Sequence, residues 1–419
     1  MVENKSISEL ALVLMGQSPP SPSCSETGNG LPFIQGNAEF GERNPLPRLR
    51  CSSPTRIAER GDLLLSVRAP VGELNHADQK MVIGRGLSAI RFPEDDQAFA
   101  WHALKWSVAK LNRVAQGSTF VAISRKDVEN LEIPWCEEPN RTGIATVLDT
   151  VDNAIASTES VIAKLKNVRA GMLHDLLTRG LDKNGQLRPL PADAPMLYKD
   201  STLGKIPKEW GVKTILTLCI HIGSGVTPRG GQDVYTSQGI MFIRSQNVTF
   251  EGLFLDDVAY IPESIHLGML RSEVFAHDVL FNITGASIGR CCPMPDNLCI
   301  SNVNQHVCAL RIPEANASDA KYLASILASP IGQHQLDALN TMGNRQGLNY
   351  QQLGSFIIFW PNIKERDMIA LKITEIENHI QAEKNYYQKL RLFKSGLTAD
   401  LLTGKVRVLE NIKRGKLHV

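Results

Sequence analysis

The sequence predicts a mixed α and β protein (α+β) made as an internal duplication, with two globular domains joined by two long antiparallel helices in a coiled-coil strut. Three observations predict it. An apolar seam runs four and three residues apart from Arg141 to Thr178 without losing phase. The same seam returns 225 residues later. Ahead of each seam lies a stretch of short apolar runs punctuated by glycine and proline.

The first seam reads Ile144, Leu148, Val151, Ile155, Ile162, Leu165, Met172 and Leu176, with polar lapses at Thr158 and Arg169. The second reads Ile369, Ile373, Ile376, Ile380, Tyr387, Leu390, Leu397 and Leu401, with lapses at the matching Glu383 and Lys394. Identities at the same offset include Arg141/Arg366, Ala145/Ala370, Lys164/Lys389, Gly171/Gly396, Asp175/Asp400 and Leu177/Leu402. The first helix leaves domain one and ends at domain two, so an equally long second helix must return. The seams then face each other antiparallel, about an approximate two-fold axis. Roughly 35 residues at about 1.5 Å each make a strut of about 52 Å. Arg169 and Lys394 are expected to lay their stems along the seam and carry their charge out to water.

These signals divide the chain into a first domain (1–136), a first long helix (137–180), a linker (181–211), a second domain (212–361), a second long helix (362–405) and a tail (406–419). In the first domain Leu31–Ile34, Asp62–Val67 and Leu87–Phe92 read as strands, and Phe99–Val114 as a helix. Pro134 is expected to close a last strand, Leu131–Ile133. Gly180 stops the first long helix, and the proline-bearing linker that follows carries one aromatic anchor, Trp210. The second domain repeats the first in outline. Gly16-Gln17-Ser18-Pro19 is matched by Gly223 to Pro228, Gly30 to Ile34 by Gly239 to Ile243, Asp62-Leu63-Leu64 by Asp278-Val279-Leu280, and Gly117-Ser118-Thr119 by Gly343-Asn344-Arg345. Frames that agree while loops diverge describe one scaffold carrying two different surfaces.

With 43% hydrophobic and 21% charged residues the chain is an ordinary folded protein. A net charge of +2 means that a nucleic-acid surface must come from local patches. The eight cysteines lack paired spacing and read as free thiols of a reducing compartment. With no basic, apolar leader and no run of about 18 apolar residues, a cytoplasmic location without a membrane is expected.

Several enzyme classes lack their residues. The one Pro-Pro, Ser18-Pro19-Pro20-Ser21, has neither the amide or acid nor the aromatic that hold a flipped base for methylation. Gly28-Asn29-Gly30 and Gly223-Ser224-Gly225 sit among turn residues and read as loops, and Gly404-Lys405 lacks the upstream glycine of a phosphate loop. Cys291, Cys292, Cys299, His306 and Cys308 form no Cys-x-x-Cys pair, so no metal site is expected. His174 is replaced by Ala399 at the equivalent position of the second long helix, which argues against a shared catalytic role and for a solvated face. Asp95 and Asp96 read as solvation of a turn.

The order of domains and helices, with Gly61 to Gly72 (GDLLLSVRAPVG), Gly204 to Trp210 (GKIPKEW) and Leu397 to Gly404 (LTADLLTG), resembles the DNA-specificity subunit of type I restriction-modification enzymes over essentially the whole chain. The resemblance implies a bacterial or archaeal subunit with no catalytic activity. It also implies that each domain reads one half of a split, asymmetric site in double-stranded DNA. The implied protein partners are two methyltransferase subunits and, in the full complex, motor-nuclease subunits. No cofactor is then expected on this chain, with S-adenosylmethionine on the methyltransferase and ATP and magnesium on the nuclease.

Side chains able to reach bases or phosphates narrow the DNA-binding candidates. In domain one they are Arg43, Arg48, Arg50, Arg68 and Arg85; in domain two, Arg229, Arg244, Gln246, Asn247, Thr284, Asn302, Asn304, Gln305, Arg345 and Gln346. Two other readings stay open: an enzyme acting alone on nucleic acid, and a coiled-coil scaffold that binds only proteins. Salt-sensitive DNA binding separates the last from the first.

Overall fold

The computed structural model describes residues 2–116, 122–298, 300–340 and 347–408. The chain forms two compact units, one up to Ser160 plus the chain from Lys384 onward, the other Val161–Glu383. Each unit therefore holds one globular domain and half of each long helix, Asn140–Thr178 and Ile363–Leu402.

Among the described residues the first unit has two larger sheets and a two-stranded ladder of Glu3–Ser6 with Glu132–Trp135. One runs Leu12–Met15, Leu87–Arg91, Leu63–Ser66, Leu74–His76, all antiparallel. The other runs Cys24–Ser25, Leu49–Cys51, Leu31–Ile34, Met81–Ile83, Ile57–Ala58, and is parallel only where Phe33 meets Val82. The second unit repeats this topology. His221–Ser224, Val307–Arg311, Val279–Asn282 and Cys291–Pro293 make one sheet. Ala259–Ile261, Ile240–Ile243, Ser301–Val303 and Glu273–Val274 make the other, again with one parallel pair, Phe242 against Asn302. A parallel pair at the same place in an otherwise antiparallel order marks a duplicated frame.

Local chemistry repeats too. Ser124 and Asn349 cap equivalent short helices, each accepting a bond from the N–H three residues on. Asp62 is buried at the end of a core strand and takes a two-pronged bond from Arg91, at 2.8 and 2.7 Å; Asp278 and Arg311 repeat it at the same distances. At the start of each long helix an arginine locks the helix to its domain. Arg141 meets Asp96 at 2.7 Å over the Trp135 ring, and Arg366 meets Asp319 at 2.7 Å over Trp360. Asp96 is thus a buried ion-pair partner and does not merely solvate a turn.

Three other expectations change. The strand expected to end before Pro134 runs Glu132–Trp135, with Pro134 opposite Asn4 in a two-stranded ladder. Such an edge tolerates a residue without an N–H. Gly223 and Ser224 belong to a strand and not a loop. The linker is structured, with Tyr198–Ser201 and Gly204–Pro207 forming a hairpin that delivers Trp210, 1% exposed, into the core of Phe281, Tyr322 and Phe359. Gly180, at φ 64°, turns the chain out of the first helix as expected.

Within each unit the two helix halves run antiparallel. In the first, Asp152 pairs with Lys394 and Glu159 with Tyr387, so seven residues forward on one helix are seven back on the other. In the second, Arg169 meets Glu377 at 2.7 Å, and Glu377 also takes Lys321. Asp152 and Glu377 stand at the same offset as Arg169 and Lys394. The two basic lapses therefore hold ion pairs across the helices, and do not carry their charge to water. Low-dielectric surroundings beside a seam favour neutralising the charge in place. Thr158, the other lapse in the first seam, is buried and bonds back to the Ala154 carbonyl at 2.8 Å.

Candidate nucleic-acid interface

At one end of each domain several segments converge, held by main-chain bonds. In the first unit Gly16 N–H donates to Leu87 O (2.9 Å), Gly84 to Ile34 O (2.8 Å), Val67 to Gly86 O (2.9 Å) and Ile123 to Val67 O (2.9 Å). In the second, Gly225 donates to Val307 O (3.2 Å), Asn304 to Ile243 O (3.0 Å), Ile283 to His306 O (2.9 Å) and Leu348 to Ile283 O (2.8 Å). The crossing is tight. A Cβ on Gly16 would lie 2.2 Å from Gly84 O, and one on Gly225 1.7 Å from Val303 O, so both positions require glycine.

On this common frame the side chains differ. The first rim carries Ser18, Gln35, Arg68 and Arg85, with Ser18 and Gln35 bonded to each other (2.8 and 3.0 Å) and Arg85 N–H reaching Ser18 Oγ at 3.4 Å. The corresponding places in the second rim hold Thr227, Arg244, Thr284 and Gln305. Thr227 donates to Gln305, whose amide stands 3.1 Å from His306, and His306 in turn contacts Thr284. Arg68, Arg85 and Gln305 are exposed, as donors aimed at a duplex must be. Ser18, Gln35, Thr227 and His306 are not among the residues the sequence offered for DNA contact. For Ser18 and Thr227 the signal was present in the match of Ser18-Pro19 with Thr227-Pro228, two residues past Gly16 and Gly225.

The other candidates divide. Arg48 and Arg50 are exposed, Arg50 on the strand Leu49–Cys51 with Nη1 2.8 Å from Gly30 O. Arg229 is exposed beside the second rim's Thr227 loop. Gln246 is exposed and bonds Asp257, which also takes Arg244 at 3.3 Å. Asn247 and Asn302 are corrections, for both are wholly buried. The Asn247 amide is consumed by Phe254 O, Asp257 O and Arg244 N–H, and that of Asn302 by His266, Met269 O and Ser272. A base edge would have to break these bonds. Asn304 is nearly buried and accepts from His306 N–H. Arg345, Gln346 and the Gly117-Ser118-Thr119 and Gly343-Asn344-Arg345 loops lie outside the described residues, as does Cys299.

Arg43 points elsewhere. It reaches Asp149 at 3.4 Å and stacks on Trp101, in a cleft of about 730 Å³ that Lys105, Asp152, Tyr387 and Lys394 also line. Burial pushes the Asp149 carboxyl up, but the bonds from His102 (3.1 Å) and Arg43 outweigh it and hold the group below the ordinary range. Burial, then Lys394, lowers Lys105. His102, Asp149 and Asp152 stand close enough to share a metal ion. Arg43 and Lys394 already neutralise both carboxylates, so a cation would have to displace them. Cys291, Cys292 and Cys308 are buried, and burial raises each thiol, the last two to about 12, which opposes the thiolate a metal needs. No helix among the described residues is long and apolar enough to cross a membrane.

Comparison with known proteins adds similarities to this geometry. The type I restriction modification DNA specificity domain matches residues 2–167. A Methanocaldococcus jannaschii protein provisionally named the type I restriction enzyme MjaX specificity subunit is 36% identical over 168 residues, 40% of this chain and 40% of the relative. The type I restriction enzyme MjaVIII specificity subunit of the same organism is 21% identical over 318 residues, 75% of this chain and 71% of the relative. In fold the chain is similar to the crystal structure of the S subunit of a type I restriction-modification system from M. genitalium, with a TM-score of 0.61 and 15% identity over 96% of both chains.

Proposed function

We propose, from the premise that this chain belongs to the specificity subunits of type I restriction-modification enzymes, that it reads a split DNA site, one half at each rim, and carries no catalytic centre of its own. The observation that supports this most is the pair of rims, one main-chain frame presenting different side chains. Ser18, Gln35, Arg68 and Arg85 supply one set of donors and acceptors, and Thr227, Thr284, Gln305 and His306 another. An asymmetric pair of half-sites needs such a difference. On this reading the long helices dock two methyltransferase subunits that bring S-adenosylmethionine, and motor-nuclease subunits bring ATP and magnesium.

Methylome sequencing of a host expressing the chain with its methyltransferase partner gives the site. Binding to that duplex is then followed by anisotropy across a salt series, where phosphate contacts demand affinity that falls as salt rises. Arg85→Ala should weaken binding by roughly 1–3 kcal/mol and relax the first half-site alone, while Gln305→Ala acts on the second. Binding indifferent to salt and to both substitutions would instead mark a scaffold that touches only proteins.

A further inference from the structure

The outermost strand of the first domain, Cys24–Ser25, is two residues long and is held only by Leu49–Cys51 within its sheet. Cys24 lies directly opposite Cys51. The next pair out, Ser23 and Ser52, exchanges a ladder bond, Ser52 N–H to Ser23 O at 2.9 Å. In an antiparallel ladder bonded and non-bonded pairs alternate, so Cys24 and Cys51 occupy the close, non-bonded kind, whose Cα atoms stand about 4.5 Å apart with side chains on one face. That separation falls within the range of about 4.4–6.8 Å that a disulfide spans. The side chains agree with the backbone. Ser23 Oγ touches both sulfurs, at 3.9 Å for Cys24 and 3.7 Å for Cys51. Burial first, and then the neighbouring Cys51 thiol, raise the Cys24 thiol above the ordinary range.

Access differs between the two. Cys51 is 1% exposed, packed with Phe33 and Val82, whereas Cys24 is partly open to solvent. Such a pair has a natural division of labour, with an entry thiol and a shielded resolving thiol. The remaining described cysteines have no partner placed opposite them in a ladder.

We infer that Cys24 and Cys51 form a dithiol modification site that closes to a disulfide by exchange with a small-molecule disulfide, and that closure pins the strand bearing Arg50. The Cys24 thiolate attacks one sulfur of the oxidant, here oxidised glutathione, and expels one glutathione thiolate. Cys51, deprotonated, then attacks Cys24 sulfur in the mixed disulfide and expels the second glutathione. Two protein thiols lose two electrons, one oxidised glutathione becomes two reduced ones, and the protons leave with them. The covalent step depends on the strand register alone and not on the reading of the rims.

The test uses the folded, reduced full chain in oxidised glutathione, with peptide mapping by mass spectrometry and amide hydrogen exchange. Peptides joined through Cys24 and Cys51 are expected, together with exchange around Ser25 and Ser52 slowed about tenfold as the short edge strand loses its local opening. Cys51→Ala should leave Cys24 arrested as the glutathione adduct. Wild-type Cys24 arrested in the same way, or both thiols still free after the exposed control thiol of an added peptide is consumed, would overturn the assignment. The wild-type arm decides the matter even where the variant folds poorly.

Discussion

Glu365 is 2% exposed, yet every lone pair on its inner oxygen is spoken for: Leu181 N–H at 2.9 Å, Arg188 Nη1 at 2.5 Å and Trp210 Nε1 at 3.0 Å, with Arg188 Nη2 on the other oxygen at 3.0 Å. Desolvation alone would lower Arg188, but Glu365 more than restores it, leaving it above the ordinary guanidinium range. Glu365→Gln keeps the volume and strands a buried cation, so it should cost about 3–5 kcal/mol in denaturant unfolding. A loss near zero would show that water replaces the carboxylate. His76 gives a pH signature. Burial, then Arg43, lowers its folded pKa, so the unfolded chain takes up the proton first. Stability from this group is present above the unfolded value of about 6.5 and declines as pH falls from there toward the folded pKa. His76→Gln should flatten part of that acid-side fall in melting temperature, and an unchanged slope would count against it. At this scale the sequence was least legible. Asn247, Asn302 and Gln305 carry the same amide, and nothing in their neighbours says which two are consumed by turns and which is exposed.

The long helices were legible because their seam is written twice, and two matching patterns of apolar residues constrain each other. Their charge pairing was not, because Asp152 finds Lys394 only once the antiparallel register is known. The pair is part-exposed, at 24% and 20%, so its strength is modest. Reversing one charge, Asp152→Lys, places like charges together and should cost about 1 kcal/mol, and adding Lys394→Asp should recover most of it. The same swap at Arg169 and Glu377 should recover less, because Lys321 also binds Glu377. Additive losses with no recovery in a double-mutant cycle would show that the charges act independently. Arg141 and Arg366 illustrate what a shared residue can say. Their identity at one offset was visible, but that they lock helix to domain through Asp96 and Asp319 required the fold.

For the chain as a whole, duplication is the governing fact, and on the proposed reading it makes the two globular domains exchangeable in principle. Replacing residues 1–136 with the matching domain of a relative, with Arg141 kept beside an acid in the place of Asp96, should change one half of the methylated site and leave the other intact. Altered methylation in both halves would refute independent reading. The rims add something that concerns inheritance. Their shape rests on N–H and carbonyl groups, which every residue except proline supplies alike, and on Gly16 and Gly225. Mutation at Gln35, Arg85, Thr227 or Gln305 therefore alters what is presented without disturbing what presents it. Such positions can drift quickly under selection while the glycines and core strands stand still. A lineage carrying this frame can acquire a new preference by a few substitutions, with little loss of foldedness at any intermediate step.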